Sequence, residues 1–280
     1  MKIRSKQKQL DLTEPQVMGI LNVTPDSFSD GGQYSSYEIA CRHADEMVRD
    51  GATIIDIGGE STRPGAASVS LHDELLRVIP LVEYVAKHHD VWISIDTSKP
   101  EVMLQAVNAG ADLINDVCAL SQPGALAMAA QLDVPVCLMH MQGKPQTMQN
   151  QPEYQDVVDD IVAFFTQRID DALQAGIKRE NILIDPGFGF GKTLAHNYQL
   201  LAELRCFKTL SIPLLIGLSR KSMIGNLLGC DVLERDNGSA VAAMLAVQNG
   251  ADIVRVHNVK LTVEMLRVLD ATNNYAALNT

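Results

Sequence analysis

The stretch Asn108-Ala109-Gly110-Ala111-Asp112 ends one amphipathic segment and opens the next apolar run, and Asn249-Gly250-Ala251-Asp252 repeats the phrase near the end of the chain. Asp50-Gly51-Ala52 is a third copy. Glycine in this place closes a helix, because it enters positive φ without strain, and the next strand follows. Working outward from these junctions, short β-branched runs lie at Val17–Val23, Thr53–Ile57, Val91–Ile95, Asp112–Asn115, Val134–Met139, Asn181–Ile184, Pro213–Gly217 and Asp252–Val256. Their length and continuity are those of strands buried on both faces. Helical periodicity fills the intervals at Glu38–Asp50, Leu71–His88, Pro100–Ala109, Glu153–Ala175, Asn197–Phe207, Ser239–Asn249 and Leu261–Ala271. Recurring βα units predict an α/β fold of parallel strands joined by helices. Eight such units suit a closed (β/α)8 TIM barrel. An open doubly wound sheet is the competing architecture, since periodicity does not show closure. Without a linker or composition break, the expectation is a polar N-terminal segment over residues 1–15 and one domain over 16–275.

Composition narrows the function. With 23 Lys and Arg against 34 Asp and Glu, the 280 residues carry a net charge of −11, which excludes a nucleic-acid binder that relies on a broad basic face. An anionic substrate gains nothing from that field, so any site for one must be built from local cations. Hydrophobic residues make up 46% of the chain, enough for a substantial core. The cysteines (Cys41, Cys118, Cys137, Cys206, Cys230) are odd in number and scattered, as reduced thiols are. Met1 to Glu14 lacks the apolar centre of a signal peptide, and the longest apolar run, Ala240 to Val247, is too short to span a membrane. A soluble, cytoplasmic protein is expected.

Polar residues gather at one end of nearly every predicted strand: Asn22, Glu60-Ser61-Thr62-Arg63, Asp96, Asn115-Asp116, His140, Asp185, Ser219-Arg220-Lys221, and Arg255 with His257. In a β/α barrel those ends converge on the face where the βα loops build the active site. Wet loops place polar residues after any strand, but Asp96, Asn115 and Asp185 stand at the strand end itself, where burial demands a partner. Gly187-Phe188-Gly189-Phe190-Gly191-Lys192-Thr193 looks like a phosphate loop. That loop needs four residues between its first glycine and Gly-Lys-Thr, and only three stand here. The stretch reads instead as a flexible loop in which Phe188 and Phe190 either cover a flat ligand or pack in the core. Residues 26–36, small and polar, suit a mobile lid or a plain surface loop.

At this point the segments resemble those of the dihydropteroate synthase family, from about Val17 to the last helix. They are Met18–Gly32 (MGILNVTPDSFSDGG), Ile57–Gly65 (IGGESTRPG), Ile95-Asp96-Thr97, Ile114-Asn115-Asp116 and Met139-His140-Met141. Asp185–Lys192 (DPGFGFGK), Gly217–Ser222 (GLSRKS) and Arg255-Val256-His257 complete the order. The resemblance implies a (β/α)8 barrel, Mg²⁺, usually a homodimer, and a target of sulfonamides. It implies condensation of 6-hydroxymethyl-7,8-dihydropterin diphosphate with p-aminobenzoate, releasing diphosphate, in folate synthesis. Asn258 departs from the family's aspartate after the histidine, and Gly238-Ser239-Ala240-Val241 varies a helix-start phrase.

The implied roles suit the residue types. For the pterin, Asp185 accepts from the 2-amino group and N3–H, Asn115 bonds the ring edge, Asp96 accepts from the reduced ring, and Lys221 donates to O4 and N5. Arg255 stacks on the ring, with Ile20, Met139 and Phe190 as walls. Asn22, Arg63, Arg255 and His257 take the diphosphate, with Asn22 as the protein ligand to Mg²⁺. For p-aminobenzoate, Phe28, Thr62, Arg63, Pro64, Phe190, Lys221 and Ser222 are expected, Ser222 receiving the carboxylate at a helix start. Asp96, Arg63, Lys221, Arg255 and His257 would act in catalysis as diphosphate departs in an SN1-like step. A pterin-binding methyltransferase is the nearest rival and would need neither diphosphate nor Mg²⁺. A non-catalytic pterin-binding relative and a sugar-phosphate barrel enzyme are the others; the first would not need Asn22, Arg63, Arg255 and His257 together.

Overall fold

The computed structural model describes residues 1–6, 8–23, 33–61 (side chains from Ser36), 66, 68–143 and 152–276. The chain begins with an antiparallel hairpin, β1 (Lys2–Ser5) and β2 (Lys8–Asp11). Eight parallel strands follow: β3 (Gln16–Asn22), β4 (Ile54–Gly58), β5 (Trp92–Asp96), β6 (Leu113–Asp116), β7 (Val136–Met139), β8 (Ile182–Asp185), β9 (Leu215–Ile216) and β10 (Ile253–Val256). Their order is β8-β7-β6-β5-β4-β3-β10-β9, and a parallel bridge between Ile184 and Leu214 joins the two ends, so the sheet is a barrel and not an open one. The helices α1 (Gln33–Arg49), α2 (Leu71–His88), α3 (Pro100–Ala109), α4 (Ala125–Leu132), α5 (Val157–Gln174), α6 (Leu194–Ala202), α7 (Ser222–Leu228) and α8 (Asp236–Gln248) lie between the strands in sequence, and α9 (Val259–Asn273) follows the last strand.

The recurring phrase works as its chemistry suggests. Gly51, Gly110 and Gly250 have φ of 102°, 128° and 100°, ending α1, α3 and α8. Its aspartate has a second use. Asp112 Oδ2 accepts the Ile93 N–H at 3.1 Å and Asp252 Oδ2 the Leu214 N–H at 2.7 Å, so each satisfies a backbone donor at the start of the neighbouring strand.

Side-chain alternation sorts the barrel interior into layers. The lowest holds one apolar residue from every strand: Met18, Ile54, Trp92, Leu113, Cys137, Leu183, Leu215 and Ile253. Ile3, Leu10 and Leu12 of the hairpin region pack into the same cluster and plug that end. The expected polar N-terminal segment therefore carries an apolar inner face. Burying three aliphatic side chains stabilises the plug by about 1.5–3 kcal/mol each. With only one apolar residue per short strand, the sequence signal for this hairpin is weak. The segment expected as a helix over Asn197–Phe207 is split: α6 stops at Ala202, and a 3-10 turn runs from Leu204 to Leu210. No helix among the described residues is long and apolar enough to cross a membrane.

Candidate active site

Two residues further along each strand, the interior turns polar. The positions are Ile20, Asp56, Ser94, Asn115, Met139, Asp185, Gly217 and Arg255, with Asn22, Gly58, Asp96 and His257 one step above. Arg255 organises this layer. Its Nε donates to Asp56 Oδ2 at 2.6 Å and its Nη2 to Asp96 Oδ2 at 2.8 Å. Asn115 Nδ2 donates to the same Asp56 oxygen at 3.4 Å. A Cβ added to Gly217 would stand 3.9 Å from both Asp185 Oδ2 and Arg255 Cβ, so these two side chains flank one space. Asn115, Asp185, Lys221 and Arg255, distant in sequence, thus surround a single hollow.

Electrostatics follow from burial. Burial pushes the Asp96 carboxyl up to about 7; Arg255 opposes this, and Asp56, Asp116 and Glu74 add to it. Burial likewise raises Asp185, against the pull of Lys221 and of the Gly187 N–H. Lys221 is brought down to about 8 by burial, with Asp185 opposing. Burial works against the Arg255 charge too, but Asp56 and Asp96 outweigh it and raise its pKa. The hollow holds a guanidinium fixed between carboxylates and an ammonium within easy reach of losing its proton.

The glycine-rich stretch after β8 has a fixed frame. Gly187, with φ of 71°, leaves no room for a side chain, because a Cβ would lie 1.9 Å from the His140 carbonyl. Its N–H donates to Asp185 Oδ1 at 2.8 Å. Asn197 Oδ1 accepts the Gly189 N–H at 2.7 Å, and the Tyr154 hydroxyl donates to the Gly191 carbonyl at 2.8 Å. Against the expectation of a flexible loop, each of these bonds ties the backbone to a packed element. Phe188 is fully buried in the core, leaving Phe190, half-buried, to face the hollow. Lys221 Nζ lies 4.4 Å above the Phe190 ring and donates to the Phe188 carbonyl.

At the rim, His257 is held by Ser219, whose Oγ meets its ring Nδ1 at 3.0 Å and accepts its backbone N–H at 3.1 Å. Asn258 does not touch that ring among these bonds: it caps α9 through the Leu261 N–H at 3.1 Å and donates to Asp236 at 3.0 Å. Ser222 is the first residue of α7 and is exposed. Asn22 ends β3, half-buried. From the point where a Cβ on Gly58 would stand, Asn22 Oδ1 is 3.5 Å away and Asp96 Oδ2 3.6 Å. The glycine therefore keeps open a space beside Asn22 Oδ1, a hard neutral donor, while Asp96 Oδ2 on its other side is taken by Arg255. That suits Mg²⁺, which takes one or two protein oxygens and completes its shell with phosphate and water. No cluster of three or more His, Cys, Asp or Glu able to hold a metal occurs among the described residues, so the protein alone supplies a sparse ligand set. A cavity of about 690 Å³ opens beside Asp96 and Met139, bounded by Glu74, Lys99, Val117 and Phe164, and meets the hollow along that edge.

Phe28, Thr62, Arg63 and Pro64 lie outside the described residues, as does most of the lid expected over 26–36. Ile20 and Met139 are buried at 5% and 4% exposure on opposite sides of the layer. Asp56 and Lys192 were not among the expected site residues, and His140 and Ser219 were expected only as polar strand ends with no assigned role. Asp56 lies inside an apolar run, and only its inward, even-numbered place on the strand could have singled it out.

The model of the family described as "Pterin binding enzyme" matches residues 18–257. A dihydropteroate synthase of Escherichia coli (strain K12) is 57% identical over 272 residues, 97% of this chain and 96% of that protein. A Yersinia pestis dihydropteroate synthase solved with a sulfonamide drug superposes with a TM-score of 0.94 at 54% identity, covering 98% of this chain and 99% of the other. A Xanthomonas albilineans dihydropteroate synthase solved with 4-aminobenzoic acid gives a TM-score of 0.93 at 49% identity, covering 98% of both chains.

Proposed function

This chain belongs to the dihydropteroate synthases, a family of transferases, and from that premise we propose that it joins 6-hydroxymethyl-7,8-dihydropterin diphosphate to p-aminobenzoate in folate synthesis, releasing diphosphate. The observation that carries this reading is the single hollow shared by Asn115, Asp185, Lys221 and Arg255 above the apolar barrel floor. A flat heterocycle with donors along one edge fits a carboxylate, an amide and an ammonium converging from three strand ends. Charge-assisted bonds of this kind contribute about 1.5–3 kcal/mol each.

Asp185, its Oδ1 already held by the Gly187 N–H, keeps Oδ2 for the 2-amino group and N3–H. Lys221 donates to O4 and N5 from its seat over Phe190. Arg255, immobilised by Asp56 and Asp96, presents its plane to the ring and its remaining N–H groups to the diphosphate. Ser219 turns the His257 ring toward the same anion, and Arg63 joins them. Asn22 would hold Mg²⁺, whose charge would help neutralise the departing diphosphate. Departure of diphosphate leaves a cation on the pterin methylene that the electron-rich ring delocalises, and Asp96, poised near neutrality, stabilises it when ionised. The amine of p-aminobenzoate then attacks from a slot beside Phe190 and Ser222; Phe28, Thr62 and Pro64, expected to contact the same substrate, lie outside the described residues. A sulfonamide would compete for that slot.

A homodimer is part of the proposal. Leu227, Leu228, Leu233, Val241 and Val268 on or beside α7, α8 and α9 stay 52–76% exposed, an apolar area of the kind paired surfaces bury. Sedimentation would test it. A cytoplasmic location is supported by five free cysteines. The decisive assay mixes the purified protein with both substrates and Mg²⁺ and looks for 7,8-dihydropteroate; no product, with the pterin bound, would overturn the proposed reaction.

A further inference from the structure

Lys192 closes the glycine-rich stretch that looks like a phosphate loop, yet its side chain is turned inward onto the loop's own backbone. The residue is 4% exposed, and its Nζ donates to the Gly187 carbonyl at 2.8 Å and to the Phe190 carbonyl at 3.0 Å. Its third neighbour is His140 Nδ1 at 3.0 Å. An ammonium donates to all three; an amine donates to the two carbonyls and accepts from the imidazole. The two carbonyl bonds are present in either protonation state, so the geometry does not depend on the charge. The Gly187 carbonyl also accepts the Phe190 N–H at 3.1 Å, so losing Lys192 would strip the Phe190 carbonyl of its side-chain donor and leave Gly187 with its backbone bond, a cost that makes Lys192 the internal brace of this turn.

What the brace holds is the pterin site from three directions. Gly187 N–H orients Asp185 Oδ1 at 2.8 Å. The Phe188 carbonyl accepts from Lys221 Nζ. The Phe190 ring is the surface on which that ammonium rests, 4.4 Å from its centre. The turn between Gly187 and Phe190 is thus gripped by two lysines, Lys221 from the ligand side and Lys192 from behind. Asn197 bonds the Gly189 N–H within the turn and the Lys192 and Thr193 carbonyls beyond it, and Tyr154 bonds the Gly191 carbonyl; neither reaches the Gly187 or Phe190 carbonyl. We infer that Lys192 is a positioning residue, acting through the Gly187–Phe190 turn to set Asp185, Phe190 and Lys221 at the spacing a pterin requires. The inference rests on the reading of the hollow as a pterin site.

Lys192→Met keeps a long, unbranched side chain and removes every N–H. Lys6→Met is a matched control at the opposite end of the barrel, where Lys6 Nζ also bonds two carbonyls, those of Val107 and Ala111 at 2.6 and 3.4 Å. Calorimetric binding of 6-hydroxymethylpterin, with KM and kcat for both substrates, gives a readout that stability alone does not move. The expectation is that Lys192→Met binds the pterin roughly tenfold more weakly, about 1.4 kcal/mol, and raises both KM values. Lys6→Met should lower the melting temperature and leave affinity unchanged. If Lys192→Met does not fold, Lys192→Gln, one atom too short to serve both carbonyls, should show the same loss. Either Lys192 variant binding the pterin as the wild type does would overturn this inference alone. A wild type that takes up no pterin would overturn the proposed function with it.

Discussion

Replacing Arg255 with leucine should unfold the balance of the barrel interior in a way that pH reveals. Asp56 is fully buried; its Oδ2 meets Arg255 Nε at 2.6 Å and Asn115 at 3.4 Å, and its Oδ1 has no hydrogen-bond partner. Asp96, 8% exposed, gives Oδ2 to the same guanidinium at 2.8 Å. Removing one partner of a buried ion pair costs about 3–5 kcal/mol, because the other charge is left uncompensated. Here two carboxylates lose their cation at once, placing the expected loss at the upper end of that range near pH 8. The sign with pH follows from the acids. Burial already raises the Asp96 carboxyl from 3.8 to about 7, and losing Arg255 removes the cation that opposes the rise. The stability Asp96 contributes in the variant is then present below about pH 4 and is lost as pH rises through the raised value. The gap between variant and wild type should be widest at pH 8 and shrink toward pH 4. Adding Asp56→Asn to the variant removes the deepest charge and should recover about 2 kcal/mol at pH 8. Urea unfolding at several pH values measures each quantity. A cost below about 1 kcal/mol, or a gap that does not change with pH, would refute the reasoning.

Other expectations can be checked with the same protein. Lys221 loses its proton near pH 8 in the unliganded site, so pterin affinity should fall as pH rises through that value, and a flat calorimetric profile from pH 7 to 9 would argue against its role as donor. Lys221→Ala should impair both substrates, whereas Ser222→Ala should raise chiefly the KM for p-aminobenzoate; wild-type kinetics in both would remove the segment after β9 from the site. Ser219→Ala frees the His257 ring and should raise the KM for the pterin diphosphate about fivefold, the effect of one hydrogen bond of about 1 kcal/mol. It should leave binding of a pterin without diphosphate untouched, and equal losses for the two ligands would contradict the assignment. p-Aminobenzoate should bind measurably only once pterin and diphosphate are present, and tight calorimetric binding to the free enzyme would rule out that order.

The parts of the molecule legible in the sequence are those with local causes. Leu71–His88 and Pro100–Ala109 match α2 and α3 residue for residue, since Ser70 caps one through the Asp73 N–H and proline opens the other. Helix α4 (Ala125–Leu132) gave no such signal: it is short, rich in alanine, and starts from Gly124 in the left-handed region. In the site, Asp96, Asn115 and Asp185 could be picked out because each ends an apolar run with a group that burial does not tolerate alone. Asp56, in the middle of Ile54–Gly58, looked like an isolated polar residue in a strand. Spacing ruled out a phosphate loop around Lys192 but gave its side chain no other role, because spacing says nothing about which way a side chain turns.

By itself the sequence determined the strand runs, the glycine stops between them and the order in which polar strand ends recur, all properties of neighbouring residues. Only the tertiary structure decided closure, through the Ile184–Leu214 bridge, and with it which residues share the interior. Arg255 and Asp56 are 199 positions apart, and Lys192 and His140 are 52 apart. Such pairs meet only after every strand has taken its register around the ring, because a shift of one residue on any strand would turn its polar side chain from the hollow to the helices.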